Sequence, residues 1–315
     1  MSNSVDFLIV TPLAEERDAM LAQLPGWRKM PPTEDDIRTY YSAALPVDCP
    51  GGQGFQYSVI VIPLANMGHV EAANATADAI RQWRPRFVLL VGIAGGSSAA
   101  GVRLGDILVA DQVANYELQK IRDGKSSIRW QVHRVDQRLL IAAQNFETRS
   151  WASCGASQRP VPGEPQVHFG PICTGDKVIA DEGLASTFRD VWARLIGFEM
   201  EAGGVASASF QAASIPGFLM IRGVSDLADA HKDSPEVEEW RPYACAISAA
   251  YASRFLMSGP VPNKSKEVSD NLPEEPAGPL QPGFSHNQLT NISQSTIVLG
   301  TAITIQRSGP EENKK

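Results

Sequence analysis

The run Phe87–Gly92, FVLLVG, is the feature that most constrains the fold of this chain. A near-continuous apolar segment of this length predicts a central strand that is buried on both faces of a sheet. A helical pattern over Val70–Trp83 precedes the run, and it ends before Pro85 because a helix seldom continues to the residue before a proline. A helix followed by a buried strand is the repeating unit of an α/β protein.

The same alternation of short apolar runs and helix-length segments continues along the chain as far as Met257. It is interrupted by Pro31–Gly54, where Pro, Gly and acidic residues predict a loop or a ragged excursion. Further strands are predicted at Phe7–Val10, Tyr57–Leu64, Ile107–Val109, Ile172–Cys173 and Gly217–Ile221, and further helices at Ala14–Leu24, Glu201–Ala213 and Pro242–Met257. Residues 1–257 are therefore expected to form one α/β domain.

The composition changes after residue 257. Residues 258–290 are rich in Pro, Ser and Glu and have few large apolar side chains, which predicts a disordered linker. Residues 291–306, NISQSTIVLGTAITIQ, carry neither charge nor proline and are rich in Ile, Val and Thr. This segment is β-prone and has two interpretations: it pairs with copies of itself as cross-β, or it docks as a terminal strand on the main sheet. Residues 307–315 are predicted to be a disordered tail.

Charge and cysteine usage indicate where the protein works. A formal net charge of −7 argues against a general nucleic-acid binder, which would need basic groups along a phosphate backbone. The four cysteines are widely separated, as is typical of ordinary thiols in a reducing compartment, and no His or Cys pair has metal-ligand spacing. We expect a soluble cytoplasmic protein that contacts no membrane and needs no metal or other cofactor.

Four short polar or glycine-rich stretches lie at predicted strand ends, where α/β proteins place their sites. Two of them have a simple structural explanation on their own: acids at a helix start complement the helix dipole, and a Ser–Asp pair after a strand often caps a helix. Glycines after a strand let the backbone approach a ligand closely, but a glycine turn alone is weak evidence of a site. The four stretches are TPLAEE at 11–16, VGIAGG at 91–96, FEMEAGG at 198–204 and IRGVSDLAD at 221–229.

In their order and spacing, the four stretches resemble the motif set of the nucleoside phosphorylase/nucleosidase superfamily. They are most similar to its methylthioadenosine/S-adenosylhomocysteine nucleosidase branch. The resemblance covers the predicted domain and leaves out the linker and the tail. It implies a three-layer α/β/α sandwich with a central mixed, twisted sheet, and it implies a homo-oligomer, since neighbouring subunits of such enzymes help to close the site.

The resemblance implies that Asp226, Glu16 and Ser225 are catalytic. Cleavage of an N-glycosidic bond passes through an oxocarbenium-like sugar while negative charge builds on the leaving purine. Asp226 would hydrogen-bond or protonate N7 of the purine, and Ser225 would orient Asp226. Glu16 would orient or deprotonate the attacking water.

The resemblance also implies a set of residues that bind the substrate. Glu201 would accept hydrogen bonds from the ribose 2′- and 3′-hydroxyls, and Met200 would pack beneath the sugar. Val178 and Ile179 stand where the family places base-contacting side chains, and Val178 replaces what is often an aromatic residue. The remaining members of the implied set are Glu199, Ala94 and Gly95.

Two departures from the family pattern favour hydrolysis over phosphorolysis. Phosphorylases of this superfamily grip phosphate with a Gly-x-x-x-Arg loop after the first strand and with a Ser or Thr in the central glycine motif. Residues 11–14, TPLA, lack the loop pattern, and Ile93 occupies the hydroxyl position. An isoleucine side chain cannot donate to a phosphate oxygen. We therefore expect water to attack a purine nucleoside or nucleotide, with release of the base, adenine, and a ribose moiety.

Three alternatives stay open at this point. One keeps the fold and uses phosphate as the nucleophile. Another is a signalling or defence effector in which residues 291–306, similar in composition to amyloid signalling segments, drive self-assembly and activate a nucleotide-depleting, for example ATP-cleaving, domain. In that case Arg17, Arg103 or Lys177 would meet the phosphates. The third is a catalytically silent nucleoside sensor. For Arg222 the sequence favours a structural role, paired with a buried glutamate.

Overall fold

The apolar run that begins at Phe87 forms the buried core strand of a ten-stranded mixed sheet, as predicted. The computed structural model describes residues 4–32, 37–48, 54–146, 151–152, 157–232 and 234–262. Its strands are β1 (Phe7–Thr11), β2 (Arg28–Lys29), β3 (Tyr41–Pro46), β4 (Gln56–Pro63), β5 (Phe87–Gly96), β6 (Ile107–Asn115), β7 (Gln119–Arg122), β8 (Lys125–Ile128), β9 (Gln131–Arg134), β10 (Val167–Thr174), β11 (Gly197–Glu199) and β12 (Gly217–Asp226). Its α-helices are α1 (Ala14–Ala22), α2 (His69–Trp83), α3 (Gln137–Gln144), α4 (Glu182–Arg189), α5 (Ala202–Phe210), α6 (Pro235–Glu238) and α7 (Trp240–Met257).

The sheet combines parallel and antiparallel pairs. Its strand order is β11-β10-β6-β12-β5-β1-β4-β3-β2, and β9 pairs with β6 off this path. Strands β4, β1, β5 and β12 run parallel to one another, whereas β12 pairs with β6 in antiparallel fashion. Strand β11 pairs with both β10 and β5, so five strands close on themselves beside the carboxyl ends of β5 and β12. This closure brings the FEMEAGG stretch next to the other predicted site stretches.

Two helix pairs cover the sheet and confirm the α/β sandwich with a central mixed sheet. Helix α1 packs on α7, which lies along β5 and β12, and α2 packs on α5. The α2–α5 contact is close because α5 is rich in small residues: a Cβ at Gly204 would lie 2.1 Å from the carbonyl oxygen of His69. The Ala- and Ser-rich composition that predicted close packing of this helix is thus explained.

Several of the predicted strands are longer than expected, β6 and β10 among them, and two of the extensions affect the predicted site. The sequence places VGIAGG and the Ser–Asp pair after their strands, but β5 continues to Gly96 and β12 continues to Asp226. The parallel pairing of β5 with β12 extends through both motifs, with a register shift between Val224 and Asp226. The predicted site residues are therefore held by ladder hydrogen bonds rather than by free loops.

The expectation of a loop over Pro31–Gly54 is wrong in its middle. Residues Tyr41–Pro46 form β3, which pairs antiparallel with β4 near the edge of the sheet. Its small and half-buried side chains gave no apolar run to detect. The hairpin β7–β8 was also missed, although Asp123 and Gly124, both with positive φ, form the Asp-Gly turn typical of tight hairpins.

After α7 the chain packs back onto the domain for a short distance. The amide of Asp48 donates to the carbonyl of Met257, and Val261 is buried beside Tyr57. The rest of the predicted linker, the β-prone segment 291–306 and the tail 307–315 lie outside the described residues. Among the helices of the described ranges, none is long and apolar enough to cross a membrane.

Gly223 gives a test of how closely β12 and α7 approach. An added Cβ would lie 2.2 Å from the carbonyl oxygen of Ala244, a backbone atom that cannot turn away. We predict that Gly223→Ala lowers the free energy of unfolding by about 1–3 kcal/mol, measured by urea denaturation. Gly54→Ala is the matched control, because a Cβ there meets nothing closer than 4.0 Å. Equal midpoints for the two variants would contradict this packing.

Candidate active site

The four stretches singled out in the sequence come together at one cavity of about 270 Å³. The cavity lies where the carboxyl ends of β1, β5 and β12 meet β11 and the start of α5. All ten predicted site residues line it: Glu16, Ala94, Gly95, Val178, Ile179, Glu199, Met200, Glu201, Ser225 and Asp226. The prediction thus selected residues that share one surface, and their chemical roles remain proposals.

A single buried cation, Arg222 of β12, lies among three carboxyl groups of this site. Its Nη2 is 2.5 Å from Glu199 Oε2 and 3.1 Å from Glu201 Oε2, and its Nη1 is 3.7 Å from Glu16 Oε1. Burial by itself lowers the pKa of Arg222, but the three carboxylates raise it above its usual value. The sequence-based pairing of Arg222 with a buried glutamate is confirmed.

Glu16, in the first turn of α1, is 3% exposed and accepts two backbone hydrogen bonds. The amide of Leu13 donates to Oε2 at 2.6 Å, and the amide of Ile93 donates to Oε1 at 2.7 Å. Burial raises the pKa of Glu16 from 4.5 to about 7, against the lowering effect of Arg222 and the two amides. Near neutral pH the carboxyl is therefore close to half ionised, as suits a group that exchanges a proton with water.

The carboxylates of Glu199 and Glu201 accept different sets of hydrogen bonds. The amides of Glu201 and Ala202 donate to Glu199 Oε2 at 3.0 Å each, so Glu199 holds the start of α5 as well as Arg222. Glu201 accepts from the amide of Gly68 at 3.3 Å with its other oxygen. Burial raises the pKa of Glu201, Arg222 lowers it, and Glu199 raises it again, with a net increase. Glu201 has the greater free capacity to accept hydrogen bonds from a ligand.

The glycines of VGIAGG make room for protein side chains. A Cβ at Gly92 would lie 2.2 Å from Glu16 Oε1 and 2.4 Å from Arg222 Nη1. A Cβ at Gly95 would lie 2.8 Å from Asp226 Oδ1. The sequence-based interpretation had these glycines admit a ligand; Gly95 does line the cavity, but the close approaches are to the site's own charged groups.

Asp226, at the end of β12, is 6% exposed and is fixed by its neighbours. The hydroxyl of Ser225 donates to Asp226 Oδ2 at 3.0 Å, and the amide of Ala228 donates to Oδ1 at 2.9 Å. Ala228 has a φ of 52°, a left-handed conformation that is uncommon for a residue with a side chain. This turn directs the carboxyl into the cavity, where the resemblance had placed the group that contacts the purine.

Three cationic side chains of the described residues also line the cavity, and one of them was named from the sequence. Lys177 lines it, as proposed for a phosphate contact, but Arg17 and Arg103 do not; they contact Asp18 and Asp106 elsewhere. Lys232 and Arg241 line the cavity and were missed. They belong to a turn and to the first turn of α7, positions without a motif, so no sequence signal distinguished them from surface residues.

A larger groove, of about 1020 Å³, lies elsewhere, along α2 and α5. The described residues that line this groove include Arg81, Arg84 and Arg86 but no Asp or Glu. In the part of the chain that the structure describes, no three His, Cys, Asp or Glu side chains cluster as metal ligands would. The smaller cavity is the candidate active site because it is rich in buried carboxyl groups, which are suited to acid–base and electrostatic catalysis.

Comparisons with known proteins agree with this fold. The family model described as "Phosphorylase superfamily" matches residues 35–257. The methylthioadenosine/S-adenosylhomocysteine nucleosidase of Marinomonas sp. (strain MWYL1) is 27% identical over 209 residues, which are 64% of this chain and 82% of that protein. The solved structure of such a nucleosidase from Neisseria meningitidis, in complex with methylthio-immucillin-A, has a TM-score of 0.60 at 20% identity and covers 80% of this chain and 99% of its own. This last likeness is one of fold.

Two longer relatives carry a different name. The ATP nucleosidase Cap17 of Escherichia coli (strain KTE188) is 27% identical over 216 residues, 64% of this chain and 41% of that protein. The death domain-containing ATP nucleosidase of Amphimedon queenslandica is 23% identical over 275 residues, 81% of this chain and 49% of that protein. In both, the match spans less than half of the relative's length.

The raised pKa of Glu16 predicts a pH-dependent stability. Because the folded-state pKa of about 7 exceeds the ordinary 4.5, folding favours the protonated carboxyl. The contribution of Glu16 is complete at low pH and is lost as the pH rises through about 7. Relative to wild type, Glu16→Gln should gain about 3 kcal/mol in unfolding free energy between about pH 4 and pH 8. Urea denaturation at both pH values measures this difference.

Glu15→Gln removes a more exposed carboxyl from the same helix turn and controls for the loss of a charge. If the difference between Glu16→Gln and wild type stays constant over this pH range, the assignment of a raised pKa to Glu16 is wrong.

Proposed function

The chain belongs to the phosphorylase superfamily, whose family model matches residues 35–257, and we propose that it hydrolyses the N-glycosidic bond of a purine nucleoside or nucleotide. The products are free adenine and a ribose moiety. The observation that carries the proposal is the convergence of Glu16, Glu201 and Asp226 on one cavity. The nucleosidase names of the relatives support the same reaction.

Asp226 stabilises the leaving purine. Its oxygens are directed by Ser225 and by the amide of Ala228, so the carboxyl has a fixed position when the base arrives. Negative charge develops on the purine as the bond to the sugar breaks, and a hydrogen bond or proton at N7 disperses that charge. Ser225 is the positioning residue, because it contacts Asp226 rather than the substrate.

Glu201 holds the ribose. One of its oxygens faces Arg222 and the other accepts from Gly68, and the group lines the cavity beside Met200. A carboxylate accepts hydrogen bonds from two adjacent hydroxyls, which fixes the sugar plane. Its charge also favours the positive oxocarbenium-like transition state over the neutral ground state, and that difference is what accelerates the reaction.

Glu16 activates the attacking water. The two backbone amides that bind its carboxylate hold it at the cavity wall, and its pKa near 7 allows it to take a proton from water as the new bond forms. Arg222 stands close behind it and stabilises its charge.

The same contacts disfavour phosphate as the nucleophile. The amides of Leu13 and Ile93 are donors that a bound anion would need, but Glu16 already accepts a hydrogen bond from each of them. A phosphate there would meet a carboxylate instead of free donors, and like charges at contact distance repel strongly away from water. The side chain of Ile93 adds no donor.

The base is held by an apolar wall. Ile179 is buried and Val178 is 56% exposed, and both line the cavity together with Phe198. At position 178 an aliphatic side chain stands where the family pattern often has an aromatic one, and Phe198 is the aromatic residue of this wall. Val178 and Met67 remain more than half exposed beside the cavity, and we propose that a second copy of the chain covers them in a homo-oligomer.

A second candidate function concerns the same site with a nucleotide as its substrate. Two relatives are called ATP nucleosidases, and the cavity carries three cations, Lys177, Lys232 and Arg241. An effector that depletes nucleotides would use this chemistry. The proposed trigger, self-assembly through residues 291–306, stays a prediction.

Replacing Asp226 tests the proposed leaving-group residue. Asp226→Asn keeps the shape of the side chain but removes its charge and its exchangeable proton, so we predict a fall in adenine release of about 10²- to 10⁴-fold. The measurement is the chromatographic yield of adenine from adenosine, methylthioadenosine and ATP at equal protein concentration.

Asp229→Asn is the matched control, because Asp229 bonds to the amide of His231 and does not line the cavity. Both variants should unfold at a similar urea concentration. Adenine release by Asp226→Asn close to the wild-type rate would refute the assignment.

A further inference from the structure

Lys232 occupies an unusual place for a surface lysine. It ends a turn in which its amide donates to the carbonyl of Asp229, and its Nζ lies 3.6 Å from Asp226 Oδ2. Its side chain is 28% exposed and lines the cavity. Among the described residues, the ion pair that Lys232 makes is with the carboxyl assigned to the leaving purine.

This ion pair cannot persist unchanged when the substrate is bound. When the fixed carboxyl of Asp226 shares its negative charge with the purine, the ammonium group loses part of its counter-charge. A partly buried ammonium without an anionic partner is costly. A substrate with a neutral 5′ substituent leaves that cost in place, whereas a substrate with a 5′-phosphate supplies a new partner.

The chemistry of a purine nucleoside places that phosphate close to Lys232. N7 is bonded to C8, and in the anti conformation the C8 edge of the purine faces the 5′ carbon of the ribose. A cation that contacts the carboxyl at N7 is therefore next to the 5′ substituent. No other edge of the purine lies as near to the 5′ substituent as the C8 edge does.

Charge balance within the cavity points to the same role. Four carboxyl groups line it, those of Glu16, Glu199, Glu201 and Asp226, and Arg222 is the buried cation among them. Such a wall repels a phosphorylated substrate unless cations stand where the phosphates lie. Arg241, from the first turn of α7, lines the same cavity and is about half exposed, although Glu15 already shares its charge.

Lys177 fits this role less well. Both carboxylate oxygens of Glu117 lie 2.6 Å from its Nζ, and it adjoins Val178 and Ile179 on the side proposed for the base. Its ammonium group has a full partner that substrate binding does not remove. Lys232 is therefore the lysine of the cavity whose charge a 5′-phosphate would balance most.

We propose that Lys232, supported by Arg241, binds the 5′-phosphate of the substrate and makes this site selective for adenine nucleotides over nucleosides with a neutral 5′ substituent. The inference rests on the proposed function for its catalytic readout. It deepens that function by naming the substrate class. When Lys232 moves its charge from Asp226 to the phosphate, recognition of the phosphate is coupled to the charge on the carboxyl that contacts the base.

The test compares full-length wild type, Lys232→Met and Lys232→Arg with ATP, AMP, adenosine and methylthioadenosine as substrates. For Lys232→Met, the ratio of kcat/KM for ATP to that for adenosine should fall about 10- to 100-fold, the effect of one charge-assisted contact. Lys232→Arg retains the charge and should keep the ratio within about threefold of wild type. Lys29→Met, at the far edge of the sheet, is the matched control and should leave the ratio unchanged.

A second readout, the calorimetric Kd for ATP measured on the Asp226→Asn background, separates the two proposals. Weaker ATP binding caused by Lys232→Met supports the inference even if no variant releases adenine, a result that would sink only the proposed function. An unchanged ratio together with an unchanged Kd overturns the inference. So does an equal loss of kcat/KM on all four substrates, because Lys232 would then act on Asp226 and not on the phosphate.

Discussion

The contact of Arg222 with three buried carboxylates is the interaction on which the rest of this structure depends. Glu199 and Glu201 come from β11 and the start of α5, Glu16 comes from α1, and Arg222 itself comes from β12. Without the guanidinium, these carboxyl groups would be buried with no opposite charge, a situation that typically costs several kcal/mol. The network therefore joins four elements, and Arg222 offsets part of the cost of burying the carboxyl groups of Glu16 and Glu201.

The backbone is shaped to hold this network. Gly92 lies opposite Arg222 in the pairing of β5 with β12, and its missing side chain is the space that the Arg222 and Glu16 head groups occupy. Gly95, farther along β5, likewise leaves the space that the carboxyl group of Asp226 occupies. Because these positions lie within paired strands, the charged groups sit on a rigid frame, and the proposed catalysis needs little reorganisation.

The sequence predicted the parts of the fold and site that depend on local pattern. The apolar run from Phe87 and the helix before it follow from periodicity. The grouping of the four motifs into one site follows from their place at strand ends and from their resemblance to the motif set of the superfamily. The strand Tyr41–Pro46 was missed because most of its side chains are only half-buried and form no apolar run. The role of Gly92 was misassigned because it depends on which side chain of a distant strand lies opposite. Lys232 and Arg241 were missed because a turn and a helix deliver them from outside the motif set.

The central claim is that water, and not phosphate, attacks the sugar in this cavity. It is tested most directly by running the reaction in ¹⁸O-labelled water, with and without inorganic phosphate, and analysing the sugar product by mass spectrometry. We predict one ¹⁸O atom at C1 of the released ribose moiety and a rate of adenine release that phosphate does not raise. A sugar 1-phosphate without the label, formed at a rate that rises with phosphate, would contradict it.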